Sequence, residues 1–172
     1  LLKILYLTEN LLNMNNFSTS CILGLFVLIS GCSKDLVLQP VALNSNVQSS
    51  EPNLYTSDNG KTYLSFISSE VDTEESKLYF STLDLANLKW NKPSLINSST
   101  DWFVNWADFP RITSNNNNGI SVHYLQKSGE GTYSYDIKVM NSKDGGANWD
   151  KPLKPHNDST KTEHGFVSTI NY

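Results

Sequence analysis

From Glu51 onward, apolar and polar side chains alternate in short runs broken by turn formers, the two-residue period of half-buried strands. Asn53–Thr56, Lys61–Ile67, Lys77–Thr82 and Trp90–Ile96 read as four strands. Asp58-Asn59-Gly60 supplies a hairpin turn, the polar stretch Ser69–Ser76 a loop, and Asp84–Trp90 a second turn. The order then recurs with strands at Phe109–Thr113, Gly119–Leu125 and Tyr133–Met140, and a turn over Ser142–Trp149 that leads into a fourth. Asn59-Gly60 maps onto Asn118-Gly119 and Trp90-Asn91-Lys92-Pro93 onto Trp149-Asp150-Lys151-Pro152, both displaced by 59 residues. A repeated four-stranded antiparallel unit is a propeller blade. The predicted fold is therefore all-β: a partial β-propeller of about two four-stranded blades over 51–172, with a third beginning at Glu163–Ile170. A small open β-sandwich is the alternative. Propellers close with about 4–8 blades, so the remaining blades of a longer chain are expected partners.

The segment before residue 51 has a different pattern. Ile22–Ile29 is apolar throughout but shorter than the ~20 residues that span a bilayer. It ends in Ser30-Gly31-Cys32, and an apolar stretch closed by small residues predicts a secretory signal helix. With cysteine directly after Ser-Gly, the end of this stretch resembles a bacterial lipobox. That resemblance implies cleavage before Cys32, lipid attachment to it, and anchoring at the bacterial outer membrane or cell surface. On this reading residues 1–31 are an upstream extension and signal, and 32–50 are the lipidated cysteine and a tether. Met14 is the expected start. A buried apolar helix with an incidental cysteine is the competing reading. Both cysteines, Cys21 and Cys32, lie ahead of the β region, which excludes a disulfide framework there.

Composition narrows the function classes. The 172 residues are 38% hydrophobic and 17% charged with a net charge of −4, as for an ordinary globular domain. Arg111 is the only arginine and no basic stripe exists, so no nucleic-acid partner is expected. Aromatic residues make up 11%, which suits strands and sugar-binding surfaces equally.

Within Ser142-Lys143-Asp144-Gly145-Gly146-Ala147-Asn148-Trp149, Asp144 can accept backbone hydrogen bonds from its own turn. Gly145 and Gly146 can take positive φ, and Trp149 starts the return strand. The pattern Ser142, Asp144, Gly146, Trp149 resembles the Asp-box, or BNR repeat, of sialidases and related propellers. The same resemblance is carried by Asn105–Pro110, Tyr133–Asp136 and Glu163–Ser168. It implies a sialidase-like glycoside hydrolase acting on glycans, with the Asp-box as a folding device away from the active site. In that family three arginines grip the substrate carboxylate, a Tyr–Glu pair supplies the nucleophile and an Asp the proton. Phe109-Pro110-Arg111-Ile112 is not the family's arginine motif, and one arginine makes no triad. This chain alone is therefore expected to be inactive. The alternative is a non-catalytic lipoprotein that binds glycans or proteins at the cell surface.

The resemblance places candidate chemistry on the loops at the other end of the blades, Asp101–Asp108 and His156–His164. Asp108 is the candidate catalytic acid if burial raises its pKa, although it could simply cap the turn before Pro110. Trp102 and Trp106 could stack on sugar rings or fill the gap between blades. Arg111 could hold a carboxylate in a bidentate grip. Asn105, Tyr135, His156, Glu163 and His164 complete the candidate substrate-binding set. His156, Asp158, Glu163 and His164 match no standard metal spacing, so hydrogen bonding is expected there and neither metal nor cofactor is predicted.

Overall fold

The computed structural model describes residues 40–43, 48–69, 72–115 and 117–170. The chain divides into two units, Leu1–Gln39 and Pro40–Tyr172. The predicted signal helix, the lipobox and Cys32 lie in the first, outside the described residues.

The second unit is all-β, with eight strands: β1 (Ser49–Thr56), β2 (Thr62–Ser69), β3 (Ser76–Asp84), β4 (Lys89–Trp90), β5 (Ser94–Ser99), β6 (Arg111–Ser114), β7 (Ile120–Lys127) and β8 (Tyr135–Ser142). All ladders between them are antiparallel. β1, β2 and β3 pair in sequence, and both β4 and β5 pair with β3. β4 and β5 are thus two halves of one fourth strand. Leu83 pairs with Trp90 and Phe80 with Ser94. The break falls at Asn91–Pro93, where Pro93 has no N–H to give the ladder.

The second sheet runs β6-β7-β8. Its fourth strand is reduced to a short edge. The Asp150 N–H donates to the Asn141 carbonyl at 2.8 Å, and Val139 and Leu153 exchange two backbone hydrogen bonds of 2.8 Å. The two sheets are the two expected blades of a partial β-propeller. Glu163 makes an isolated parallel bridge to Tyr135, and 164–170 follows without a ladder partner among the described residues.

The core lies between the blades. Tyr63, Ile67, Leu78, Phe80 and Ile96 of the first pack with Trp102, Ile112, Ile120, Val122, Tyr124 and Met140 of the second. Strand alternation delivers these side chains to one face, and their burial is the main stabilising term. Polar ties cross the same seam: the Tyr55 hydroxyl donates to the Ser114 carbonyl at 3.1 Å, and Asn97 Nδ2 donates to the Tyr124 hydroxyl at 2.9 Å.

The turn after β8 is held by its own side chains. Ser142 Oγ donates to Asp144 Oδ1 at 2.8 Å and accepts the Gly146 N–H at 2.8 Å. Asp144 also accepts the Asn148 N–H at 2.9 Å and the Asn148 Nδ2 at 2.7 Å. These bonds, that from the Asn148 side chain foremost, hold the Asp144 carboxyl at about 2. Gly145 and Gly146 take φ of 74° and 92°. Trp149 meets Phe80 edge-on at 6.0 Å, so the turn of one blade is clamped to the core of the other. The weaker copy keeps half of this geometry: Asp84 accepts from the Ala86 and Asn87 N–H groups and from the Asn87 side chain, while Ser81 bonds to the Asn91 carbonyl instead.

Candidate functional site

β6 and β8 both run antiparallel to β7, so their first residues share one end of the blade. Ser142 closes the other end of β8, seven strand steps or about 24 Å from Tyr135. The Ser142–Trp149 turn and the candidate site are therefore at opposite ends.

Two loops are pinned at the site end. Lys127 N–H donates to the Asp101 carbonyl at 2.7 Å and Phe103 N–H to the Leu125 carbonyl at 3.0 Å, which lays 101–103 along the end of β7. Asn105 Oδ1 accepts the Ala107 N–H at 2.8 Å and turns the chain towards Asp108. On the other side, Tyr135 N–H donates to the Thr162 carbonyl at 3.2 Å and His164 N–H to the Tyr135 carbonyl at 3.1 Å. This short parallel register sorts side chains by alternation: Tyr135 and Glu163 fall on one face, Asp136 and His164 on the other.

On the first face the Tyr135 hydroxyl donates to Glu163 Oε1 at 2.6 Å. The Tyr135 ring is fully buried and stacks on Phe103 at 4.2 Å, whereas Glu163 is exposed. Burial, then the carboxylate of Glu163, push the Tyr135 phenol well above its ordinary range, so it is a hydrogen-bond donor at neutral pH and not a phenolate. Asp108 is buried, and its Oδ2 accepts the Phe166 N–H at 2.6 Å. Asp108 and Tyr135 close on Gly165 from two sides. An added Cβ there would overlap Asp108 Oδ2 and lie 3.2 Å from the Tyr135 hydroxyl. Asp108, Tyr135 and Glu163 are thus brought together, with the carboxylate of Glu163 open to solvent.

On the second face Asp136 Oδ1 lies 3.5 Å from His156 Nε2 and 3.4 Å from His164 Nδ1. The two imidazoles stack at 4.2 Å with 20° between planes. His164 Nε2 lies 3.1 Å from Asp158 Oδ2, and that bond, above all, raises the His164 pKa. Asp158 is held low chiefly by the Thr160 N–H. Lys154 Nζ is 3.7 Å from Asp136 Oδ2. Asp136, His156 and His164 present three ligand atoms within 4.8 Å of one another. Residue spacing along the chain gave no metal pattern, because Asp136 comes from a strand and the two histidines from a loop that folds back on it.

The other candidates separate. Trp102 is 5% exposed in the core against Tyr124 at 4.6 Å, so of its two readings the structure realises packing between blades, and its ring has no free face for a sugar. Trp106 is 83% exposed. Arg111 is exposed with its guanidinium 5.2 Å from the Phe109 ring. It lines a cavity of about 220 Å³ together with Asn53, Tyr55, Thr113 and Ser168. Sequence reading missed Asp136, Lys154, Phe103 and Gly165 as parts of the site. The alternation of Tyr135 and Asp136 at the head of a strand was the available signal.

His123 sits just beneath. It is buried, neither ring nitrogen has a hydrogen-bond partner, and burial lowers its pKa to about 4 against the opposing charge of Asp108.

No family model matches this sequence, and no curated protein matches it. Among solved structures, the endo-arabinase from Bacteroides thetaiotaomicron VPI-5482 superposes with a TM-score of 0.52 at 16% identity, over 80% of this chain and 61% of that one. An endo-1,4-beta-xylanase from the same organism superposes with a TM-score of 0.45 at 16% identity, over 72% of this chain and 41% of that one. The chain spans about three fifths of the length of the endo-arabinase, and the likeness to it is one of fold.

Proposed function

We propose that this protein is a sialidase-like, glycan-acting β-propeller, held at the bacterial outer membrane or cell surface by a lipid on Cys32. Its carbohydrate face is the end of the blades where Asp108, Tyr135 and Glu163 meet. The observation that carries this reading is the exposed Glu163 carboxylate fixed at 2.6 Å by the buried Tyr135 hydroxyl, opposite the Asp-box end. A carboxylate locked in this way accepts hydrogen bonds from sugar hydroxyls without first losing side-chain entropy. Trp106 supplies an exposed ring for stacking and Arg111 a cation for an acidic sugar. The shared fold of the endo-arabinase supports a carbohydrate ligand.

A second reading, a non-catalytic glycan binder, is favoured by Arg111 being the only arginine in the sequence, which makes no triad for a substrate carboxylate. This chain is accordingly expected to bind glycans and to leave a fluorogenic sialoside intact. Glycan-array binding by the purified protein, weakened in Glu163→Gln and Trp106→Ala, is the test. An array without signal removes the glycan reading, and sialoside turnover removes the non-catalytic one. Labelled palmitate incorporated in a bacterial host and lost in Cys32→Ser tests the anchor.

A further inference from the structure

We infer that Asp136, His156 and His164 form a binding site for a transition-metal dication of the zinc class, a reading that goes beyond glycan recognition. The donor set is two imidazoles and one carboxylate, the combination that suits zinc better than calcium or magnesium, which take oxygen ligands. Bonds of ~2.0–2.1 Å in a tetrahedron put neighbouring ligand atoms about 3.3 Å apart. The two distances to Asp136 Oδ1 are 3.5 and 3.4 Å, close to that edge before any ion is bound.

The ligand atoms are also oriented for a cation. His164 Nε2 faces Asp158 Oδ2 on the far side of the ring, the carboxylate–histidine arrangement that supports a metal ligand, so Nδ1 is the nitrogen that would bind an ion on releasing its proton. Nδ1 donates to the Tyr135 carbonyl at 3.2 Å and lies 3.4 Å from Asp136 Oδ1, and an ion would replace that proton among them. His156 adds a nitrogen with no other partner: neither of its nitrogens makes a hydrogen bond, and both are shielded from water.

Two features define what binding must change. Stacked rings cannot both aim in-plane lone pairs at one ion, so His156, which no hydrogen bond holds, turns about χ2 while Asp158 keeps His164 in place. Lys154 competes as a cation beside Asp136, but it also donates to the Asp158 carbonyl at 2.9 Å and can remain there. Three protein ligands leave one position for water. The ion would tie the loop from Lys154 to His164 onto β8 and so fix Glu163, the residue adjoining His164.

Titrating tag-free protein with Zn²⁺ and Co²⁺ tests this. One ion per chain is expected by calorimetry, with visible bands of four-coordinate Co²⁺, a zinc-dependent rise in Tm, and slowed hydrogen exchange over residues 154–164. His156→Ala and Asp136→Asn should abolish binding, Asp158→Ala should weaken it about 10–100-fold, and Lys154→Ala should tighten it. Because the His156 imidazole makes no hydrogen bond, His156→Ala carries the test if the other variants do not fold. Absence of Zn²⁺ and Co²⁺ binding would overturn the site. So would one-to-one binding that survives in His156→Ala, or a preference for Ca²⁺ or Mg²⁺.

Discussion

Among the described turn glycines, Gly146 is the one where an added methyl should cost this protein most. Gly146 has a φ of 92°, and a Cβ built on it would overlap Phe80 Cζ and stand 2.7 Å from Cε1. The Phe80 ring cannot swing clear, since it is 6% exposed and braced edge-on by Trp149. Two costs add: about 1–2 kcal/mol for a left-handed residue with a side chain, and about 1–3 kcal/mol for overpacking. The expected loss is about 2–5 kcal/mol, or a fall in Tm of roughly 3 °C per kcal/mol. Gly60→Ala is the matched control. Its φ is 81°, yet nothing lies within 4 Å of the added methyl, so it carries the backbone cost alone. Urea unfolding followed by circular dichroism should place Gly146→Ala at least 1 kcal/mol below Gly60→Ala. Phe80→Leu combined with Gly146→Ala should cost less than the sum of the two single changes. Equal losses for the two glycine variants would refute the clamp between the Ser142–Trp149 turn and the first blade.

Three further outcomes follow from the site end. His123 has a folded pKa near 4 against 6.5 unfolded, so below pH 6.5 the unfolded chain takes a proton that the folded one refuses. Stability should fall by about 3 kcal/mol as pH drops from 6.5 to 4 and no further on this account, and His123→Leu should flatten that slope in pH-dependent urea melts. Trp102→Ala should cost about 3–5 kcal/mol, whereas Trp106→Ala should stay within about 0.5 kcal/mol; similar losses in thermal melts would contradict their placement. Tyr135→Phe should lower stability by about 1 kcal/mol and loosen residues 162–166 in hydrogen exchange. An unchanged exchange pattern would mean that the phenol does not hold Glu163.

The sequence by itself determined the blades. Two-residue alternation, glycines at the turns and a repeat spaced by 59 residues are local signals, and strands with one buried face obey them directly. The turn over Ser142–Trp149 could be read for the same reason, since the side-chain hydrogen bonds within it join residues at most four apart. The division at Pro93 and the core position of Trp102 were less legible, because each depends on which strand lies opposite. The second face of the site was decided by tertiary structure alone. Asp136 and His164 are 28 residues apart and meet only because Glu163 pairs in parallel with Tyr135. That pairing puts one member of each neighbouring pair on either side of the strand, joining Tyr135 to Glu163 and Asp136 to His164. A spacing rule sees distance along the chain, whereas a cluster of ligand atoms depends on register between segments, which packing fixes.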